Sequence, residues 1–258
     1  MTWSATQYSR FEDQRTRPVR DLLAAVPPRP VRQATDLGCG PGNSTEVLLQ
    51  HCSHAQVTAL DSDPDMLDKA RQRPRLSIPR LRIEQADIAQ WRAREAQDLI
   101  LANASLQWLD DHATLYPHLL EQLSEGGSLA VQTPDNVDEP AHRHLRALAA
   151  SPAWADRLGD LQLPARHSAG FYYDLLNPLC TRVDVWRTTY HHPLEGGAQA
   201  VLEWFKGSAL RPYLARLNDA DQQAFEAQYL AAITADYPLA GDGKVLLAFP
   251  RLFVVATR

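Results

Sequence analysis

Apolar positions along this chain switch repeatedly between a spacing of two and a spacing of three to four. Val19, Leu22, Leu23 and Val26 share one helical face, which predicts a helix over about 17–26. Pro18 suits its first turn, and Pro27, Pro28 and Pro30 end it. Short apolar runs then read as strands at 31–37, 56–60, 81–86, 98–102 and 128–132, separated by helical patterns at 45–52, 64–72 and 113–123. Strands alternating with helices predict an α/β fold with a parallel sheet and right-handed crossovers. After Pro134 the pattern changes. Residues 136–180 and 197–236 read mostly as helix, 182–190 as a strand and 252–256 as a final strand. Pro250 stands where a strand can begin but should not continue through. The expectation is a single domain whose core spans about 31–133, 181–192 and 245–258. Helical insertions at about 136–180 and 197–240 form a lid over the carboxyl ends of the strands, where open α/β sheets take ligands.

Composition narrows the partners. The 258 residues are 45% hydrophobic with a net charge of −5, enough for one large core and unlike a phosphate-tracking protein. The opening MTWSATQYSR lacks the apolar segment of a leader, and no run reaches membrane-spanning length. Cys39, Cys52 and Cys180 match no zinc or redox spacing. A cytoplasmic protein without metal, nucleic acid or membrane partner is expected, its oligomeric state open.

Candidate chemistry begins at DLGCGPGNS, residues 36–44. A glycine-rich turn from strand to helix lets backbone approach a ligand closely. The spacing is G-x-G-x-G at Gly38, Gly40 and Gly42; the dinucleotide G-x-G-x-x-G and the Gly-Lys-Ser/Thr of a phosphate loop are both absent. Asp61 ends the next strand, where it can accept both hydroxyls of a ribose, and Asp87 ends the third, where it can accept from an adenine amino group. Ile88 stands beside such a ring, Ser62 follows Asp61, and Met66 is either an adenine contact or simple core. Each Asp alone could be a turn residue; with Asp36 at the end of the first strand, three at successive strand ends suggest a nucleoside.

With these motifs the stretch 31–133 resembles the class I S-adenosylmethionine-dependent methyltransferases. The resemblance implies a Rossmann-like, seven-stranded, mostly parallel sheet with an antiparallel last strand. It implies S-adenosylmethionine as cofactor, with Asp36 and the backbone of Gly38 to Gly42 around the methionine part, Asp61 at the ribose and Asp87 at the adenine. Asn103, at the end of the fourth strand, completes the candidate cofactor set. Methyl transfer needs an aligned nucleophile shielded from water, and a carboxylate is ionised at neutral pH without a general base. No catalytic base is therefore assigned.

The acceptor is read from later segments. Residues 103–108, NASLQW, lack the prolines that adenine-amino methyltransferases carry there. Arg187, Arg211 and Arg251 sit among aromatic and apolar residues, as guanidinium groups that grip carboxylates do, although each alone could be a surface ion-pair partner. Gln107, Trp108, Tyr172 and Tyr173 are candidates to close and dry the site. Arg17 either reaches over the site or starts the first helix. NASLQWL, LYPHLL, LAVQTPDN, VDVWRTTYHH, LRPYL and LLAFPRLFVVATR, with the N-terminal YSRFEDQRTRP, resemble the trans-aconitate 2-methyltransferase family, which esterifies one carboxylate of a small polycarboxylate. The likeness is weaker over 151–166. Two other readings stay open: methylation of a carrier-bound malonyl carboxylate, and cofactor binding without catalysis.

Overall fold

The computed structural model describes residues 12–161 and 166–258. Residues 1–11, which include the opening read for a leader and the start of YSRFEDQRTRP, lie outside the described residues, as do 162–165. The chain divides into two compact units. One holds Met1–Pro134, Pro164–Thr188 and Leu252–Arg258; the other holds Asp135–Leu163 and Thr189–Arg251. The stretch 136–180, expected as one insertion, is thus shared between them.

In the first unit α1 spans Glu12–Ala24. It starts earlier than the periodicity predicts, so Pro18 is interior rather than in the first turn. The apolar face compensates: Val19, Leu22 and Leu23 are at most 1% exposed. The alternation then follows as β1 (Gln33–Leu37), α2 (Asn43–His51), β2 (Gln56–Asp61), α3 (Pro64–Arg71), β3 (Leu81–Gln85), β4 (Gln97–Asn103), α4 (His112–Glu121) and β5 (Leu123–Pro134). A further helix, α5, spans Pro140–Ala149, α6 spans Ala155–Leu158 and α7 spans Ala169–Leu176. β6 runs over Arg182–Glu195 and β7 over Lys244–Thr257.

The seven strands form one sheet in the order β3-β2-β1-β4-β5-β7-β6. Strands β3, β2, β1, β4 and β5 pair in parallel. The N–H groups of Gly126 and Thr181 donate to the carbonyls of Arg258 and Thr257, so the end of β7 lies beside the beginnings of β5 and β6. β7 is antiparallel to both. It also starts well before 252, running through Pro250, whose missing N–H is tolerated while its carbonyl accepts from Asp135 N–H at 2.9 Å. On one face of the sheet, Leu37, Leu60, Ile100, Val131 and Val254 pack with Leu106, Leu115, Tyr116, Tyr172 and Leu176 in a buried cluster.

At the amino ends of the strands Asp98 acts as a clamp. One of its oxygens accepts from the N–H groups of Arg32 (2.7 Å) and Gln33 (3.2 Å). The other accepts from Ser124 Oγ (2.9 Å) and from Arg29 (3.3 Å). β1, β4 and β5 are thereby tied together where the β4–β5 register shifts.

In the second unit α8 (Gly197–Lys206), α9 (Arg211–Leu214) and α10 (Asp219–Ile233) join α5 and α6. Phe225, Tyr229 and Ile233 recur at helical spacing on α10 and are fully buried. Trp154 meets Phe225 edge to face at 5.1 Å. Ala141, in the first turn of α5, is held at both polar atoms: its carbonyl accepts from the Tyr229 hydroxyl and its N–H donates to that of Tyr237, each at 3.2 Å.

Burial by itself would raise the Asp98 carboxyl, but the two N–H groups, the Ser124 hydroxyl and Arg29 outweigh it and hold it below its ordinary value. A carboxylate depressed in the folded state adds stability above its unfolded pKa of about 3.9 and loses it as pH falls through the folded value. Asp98→Ala should cost about 2–4 kcal/mol in urea unfolding at pH 7. That deficit should shrink below about pH 4; a constant deficit down to pH 3 would refute the clamp.

Candidate active site

The loop leaving β1 is shaped by three left-handed glycines. The N–H groups of Gly38 and Cys39 both donate to the Leu60 carbonyl, at 2.8 and 2.9 Å, turning the chain across the end of β2. Gly38 has φ +72°, and a Cβ there would lie 2.4 Å from Ser105 Cβ. Gly40 has φ +54°, and a Cβ there would meet nothing within 4 Å. The first glycine is required by close packing; the second faces open space. Gly42 then caps α2, also in the left-handed region.

Two carboxylates brace this loop. Asp61, the last residue of β2, accepts from Gly40 N–H and Asp63 N–H, one at each oxygen and both at 2.9 Å. A carboxylate has about four acceptor positions, so capacity for a vicinal diol remains. Asp36 is wholly buried. Its Oδ2 accepts from Ser44 Oγ (2.8 Å) and Thr45 Oγ1 (2.7 Å), while Oδ1 has no hydrogen-bond partner among the described residues. Burial pushes the Asp36 carboxyl up to about 6; the two hydroxyls pull it down less, and the Asp61 charge adds a little upward. A buried carboxyl with one idle oxygen suits a cationic ligand group.

β3 ends at Gln85, so Asp87 lies two residues past the strand rather than at its end. It is exposed, and its Oδ1 accepts from Ala89 N–H at 2.9 Å, which gives it the turn role as well. Ile88 approaches the loop: its Cδ1 is 3.4 Å from where a Gly38 Cβ would stand. Ser62 is exposed and its carbonyl accepts from Gln85. Met66 is buried on α3. Asn103, the last residue of β4, has a buried Oδ1 without a hydrogen-bond partner among the described residues.

The stretch after β4 turns sharply. Ala104 is left-handed at φ +54°, and Ser105 Oγ donates to the Leu37 carbonyl at 2.7 Å, joining this stretch to the glycine loop. Leu106–Trp108 form one 3-10 turn. Gln107 is buried, its Nε2 donating to the Ala104 carbonyl at 2.7 Å and its Oε1 lacking a partner among the described residues. Trp108 and Tyr173 are exposed, whereas Tyr172 is buried with its hydroxyl 2.7 Å from His112 Nδ1.

Arg187 is an exposed residue of β6, on the strand face that carries Val183 and Val185, which pack on the cluster containing Leu106 and Tyr172. Arg17 lies within α1 rather than before it, exposed and 3.8 Å from Asp21. In the second unit Arg211 opens α9 half-buried, and Arg251 is buried with its guanidinium 4.7 Å over the Phe249 ring. The sequence reading passed over Ser44, Thr45, Ser105 and His112. Each is polar beside a turn, where Ser, Thr and His occur for many reasons, so no spacing marks them. Cys39 is buried and its thiol is pushed well up, by burial first and then by the Asp36 and Asp61 charges, as expected of a packing residue.

The fold recurs in known proteins. A methyltransferase-domain family model matches residues 34–127. The Bacillus subtilis YcgJ structure superposes with TM-score 0.61 over 94% of this chain and 98% of its own, at 12% identity. Coclaurine N-methyltransferase bound to N-methylheliamine and SAH gives TM-score 0.54 over 94% and 72%, at 16% identity. These establish the fold. The trans-aconitate 2-methyltransferase of Agrobacterium fabrum is 46% identical over the full length of both chains. That of Methylobacterium radiotolerans is 49% identical over 99% of this chain and 98% of its own.

The chain belongs to the trans-aconitate 2-methyltransferase family. S-adenosylmethionine is the methyl donor of this family. The residues present fit it: a Cβ at Gly40 would meet nothing within 4 Å, and the buried atoms Asp36 Oδ1 and Asn103 Oδ1 have no hydrogen-bond partner among the described residues. No cluster of His, Cys, Asp and Glu suited to a metal ion occurs among the described residues.

Gly40→Ala tests the fit. The left-handed conformation should cost about 1–2 kcal/mol in urea unfolding without a clash, while S-adenosylmethionine affinity by calorimetry should fall at least about tenfold. Unaltered affinity would place the cofactor elsewhere. The Asp36 proton gives a second test. An unfolded Asp ionises near 3.9, so between about pH 4 and 6 the folded protein without cofactor holds the extra proton, and this group's contribution to stability falls as pH rises. A cationic ammonium beside Asp36 reverses the preference. Cofactor affinity should therefore strengthen by up to roughly tenfold per pH unit up to pH 6 and then level off. Asp36→Asn should flatten that profile in calorimetry.

Proposed function

We propose that this chain transfers the methyl group of S-adenosylmethionine to one carboxylate of trans-aconitate, giving a monomethyl ester. Identity of 46–49% to trans-aconitate 2-methyltransferases along the whole chain carries the reading. The cofactor supplies an electrophilic methyl group on a sulfonium. The acceptor carboxylate is ionised at neutral pH, so the chain needs to hold it in line and keep water out, without abstracting a proton.

We assign the methionine part to Asp36, the Gly38–Gly42 backbone and Asn103, the ribose to Asp61 and Ser62, and the adenine to Asp87, Ile88 and Met66. Arginine clamped on the reacting carboxylate would lower its nucleophilicity. Arg187 is therefore proposed to hold a carboxylate that does not react, and the same chemistry is proposed for Arg211 and Arg251 of the second unit. Gln107, whose buried Oε1 lacks a partner among the described residues, can receive a hydrogen bond but repels carboxylate oxygens, which directs the acid's orientation. Trp108 and Tyr173 present apolar surface suited to excluding water.

Incubation with methyl-labelled S-adenosylmethionine and a panel of di- and tricarboxylic acids should give base-labile label on trans-aconitate. Label only on a carrier protein, or none at all, overturns the reading. Arg187→Ala should raise KM for the acid by at least about tenfold, the loss of one charge-assisted contact of about 1.5–3 kcal/mol, with a smaller change in kcat. An unchanged KM removes Arg187 from the site.

A further inference from the structure

His112 is buried at the first residue of α4, and nothing in the reaction described above uses it. Its two ring nitrogens face different kinds of partner. Nε2 is 2.9 Å from the Leu106 carbonyl, which can only accept, so Nε2 carries the proton. Nδ1 is then the acceptor, and Tyr172 on α7 donates its hydroxyl at 2.7 Å. The imidazole is thus a fixed neutral tautomer joining the carbonyl of the 3-10 turn to α7. Its surroundings reinforce this state. The Tyr116 ring lies 5.3 Å away on α4, with the His167 and Tyr172 rings at 5.1 and 5.9 Å. Arg166, whose Nη1 donates to the Gln107 carbonyl at 2.9 Å, adds a positive charge. Burial first, and then the His167 and Arg166 charges, hold the His112 imidazole below its ordinary value against the Leu106 and Leu109 carbonyls.

We propose that His112 is a positioning residue that locks the Leu106–Trp108 turn, and so the Gln107 amide, in the orientation that steers the acid's carboxylates away from Oε1. This rests on the acceptor site proposed above. The turn follows Asn103 and Ser105 directly, and Ser105 is bound to the end of β1. A shift of the Leu106 carbonyl would therefore move Gln107 relative to the cofactor loop. Protonation makes Nδ1 a donor aimed at a hydroxyl that had been donating to it. The Tyr172 hydroxyl must then reverse, in a pocket already facing Arg166 and His167.

Two variants separate the contacts. His112→Gln places an amide N–H near the Nε2 position and can still donate to Leu106, whereas His112→Asn offers polar atoms only near Nδ1. We expect kcat at saturating cofactor and acid to stay within about threefold for His112→Gln and to fall at least tenfold for His112→Asn. S-adenosylmethionine affinity by calorimetry should be unchanged in both. The part of the wild-type acid limb of kcat that lies above the titration of the acceptor carboxylate should be missing in His112→Gln. Independently of any acceptor, amide exchange at Trp108 and Leu109, whose N–H groups close the turn on Ser105 and Leu106, should quicken in His112→Asn only. Nitrogen NMR of the wild-type ring should show Nε2 protonated at neutral pH. Equal kcat in the two variants, equal exchange in both, or a proton on Nδ1 overturns the proposal. If the acid panel fails while the exchange difference and the tautomer hold, the positioning role stands and the acceptor assignment falls.

Discussion

The site depends on one geometric constraint: the chain leaving β1 must fold back across the end of β2 without a side chain in the way. The paired donation of Gly38 and Cys39 N–H to a single carbonyl, that of Leu60, sets this path. Once it is set, the carbonyl of Leu37 is presented to Ser105, Gly40 N–H reaches Asp61, and α2 starts with Ser44 and Thr45 beneath Asp36. The register of the parallel strands supplies the alignment, since Leu37 pairs with Leu60 and Asp61 with Gln85. A slip of one residue would move each carboxylate to the opposite face of its strand.

The burial of Asp36 follows from the same arrangement and sets a chemical trade-off. A carboxyl deep in the sheet is costly to ionise, and two hydroxyl donors do not cancel that cost. Its charge becomes favourable only beside a cation. The fold thus holds a carboxyl that is electrostatically incomplete by itself.

Much of the fold was legible in the sequence because its strands alternate cleanly with helices. The glycine spacing and Asp61 were legible because a close backbone approach leaves few residue choices. Other features depended on tertiary context. Pro18 looked like a helix start, yet the packing of Val19, Leu22 and Leu23 carries α1 past it. Pro250 looked like a boundary, yet β7 runs through it. Asp87 sits beyond its strand because β3 ends early, a difference no local pattern encodes. The 136–180 stretch reads uniformly as helix, and periodicity cannot tell which unit each helix joins. His112 was invisible for a related reason: its partners, Leu106 and Tyr172, come together only in three dimensions.

Asp98 shows how labour is divided across the sheet. It binds β1, β4 and β5 at their amino ends, and the glycine loop and the 3-10 turn leave from the carboxyl ends of β1 and β4. Stability and chemistry are therefore written in separate stretches of chain. Drift in the loops at the carboxyl ends need not loosen the framework, so a lineage can change what those loops meet while inheriting the same scaffold.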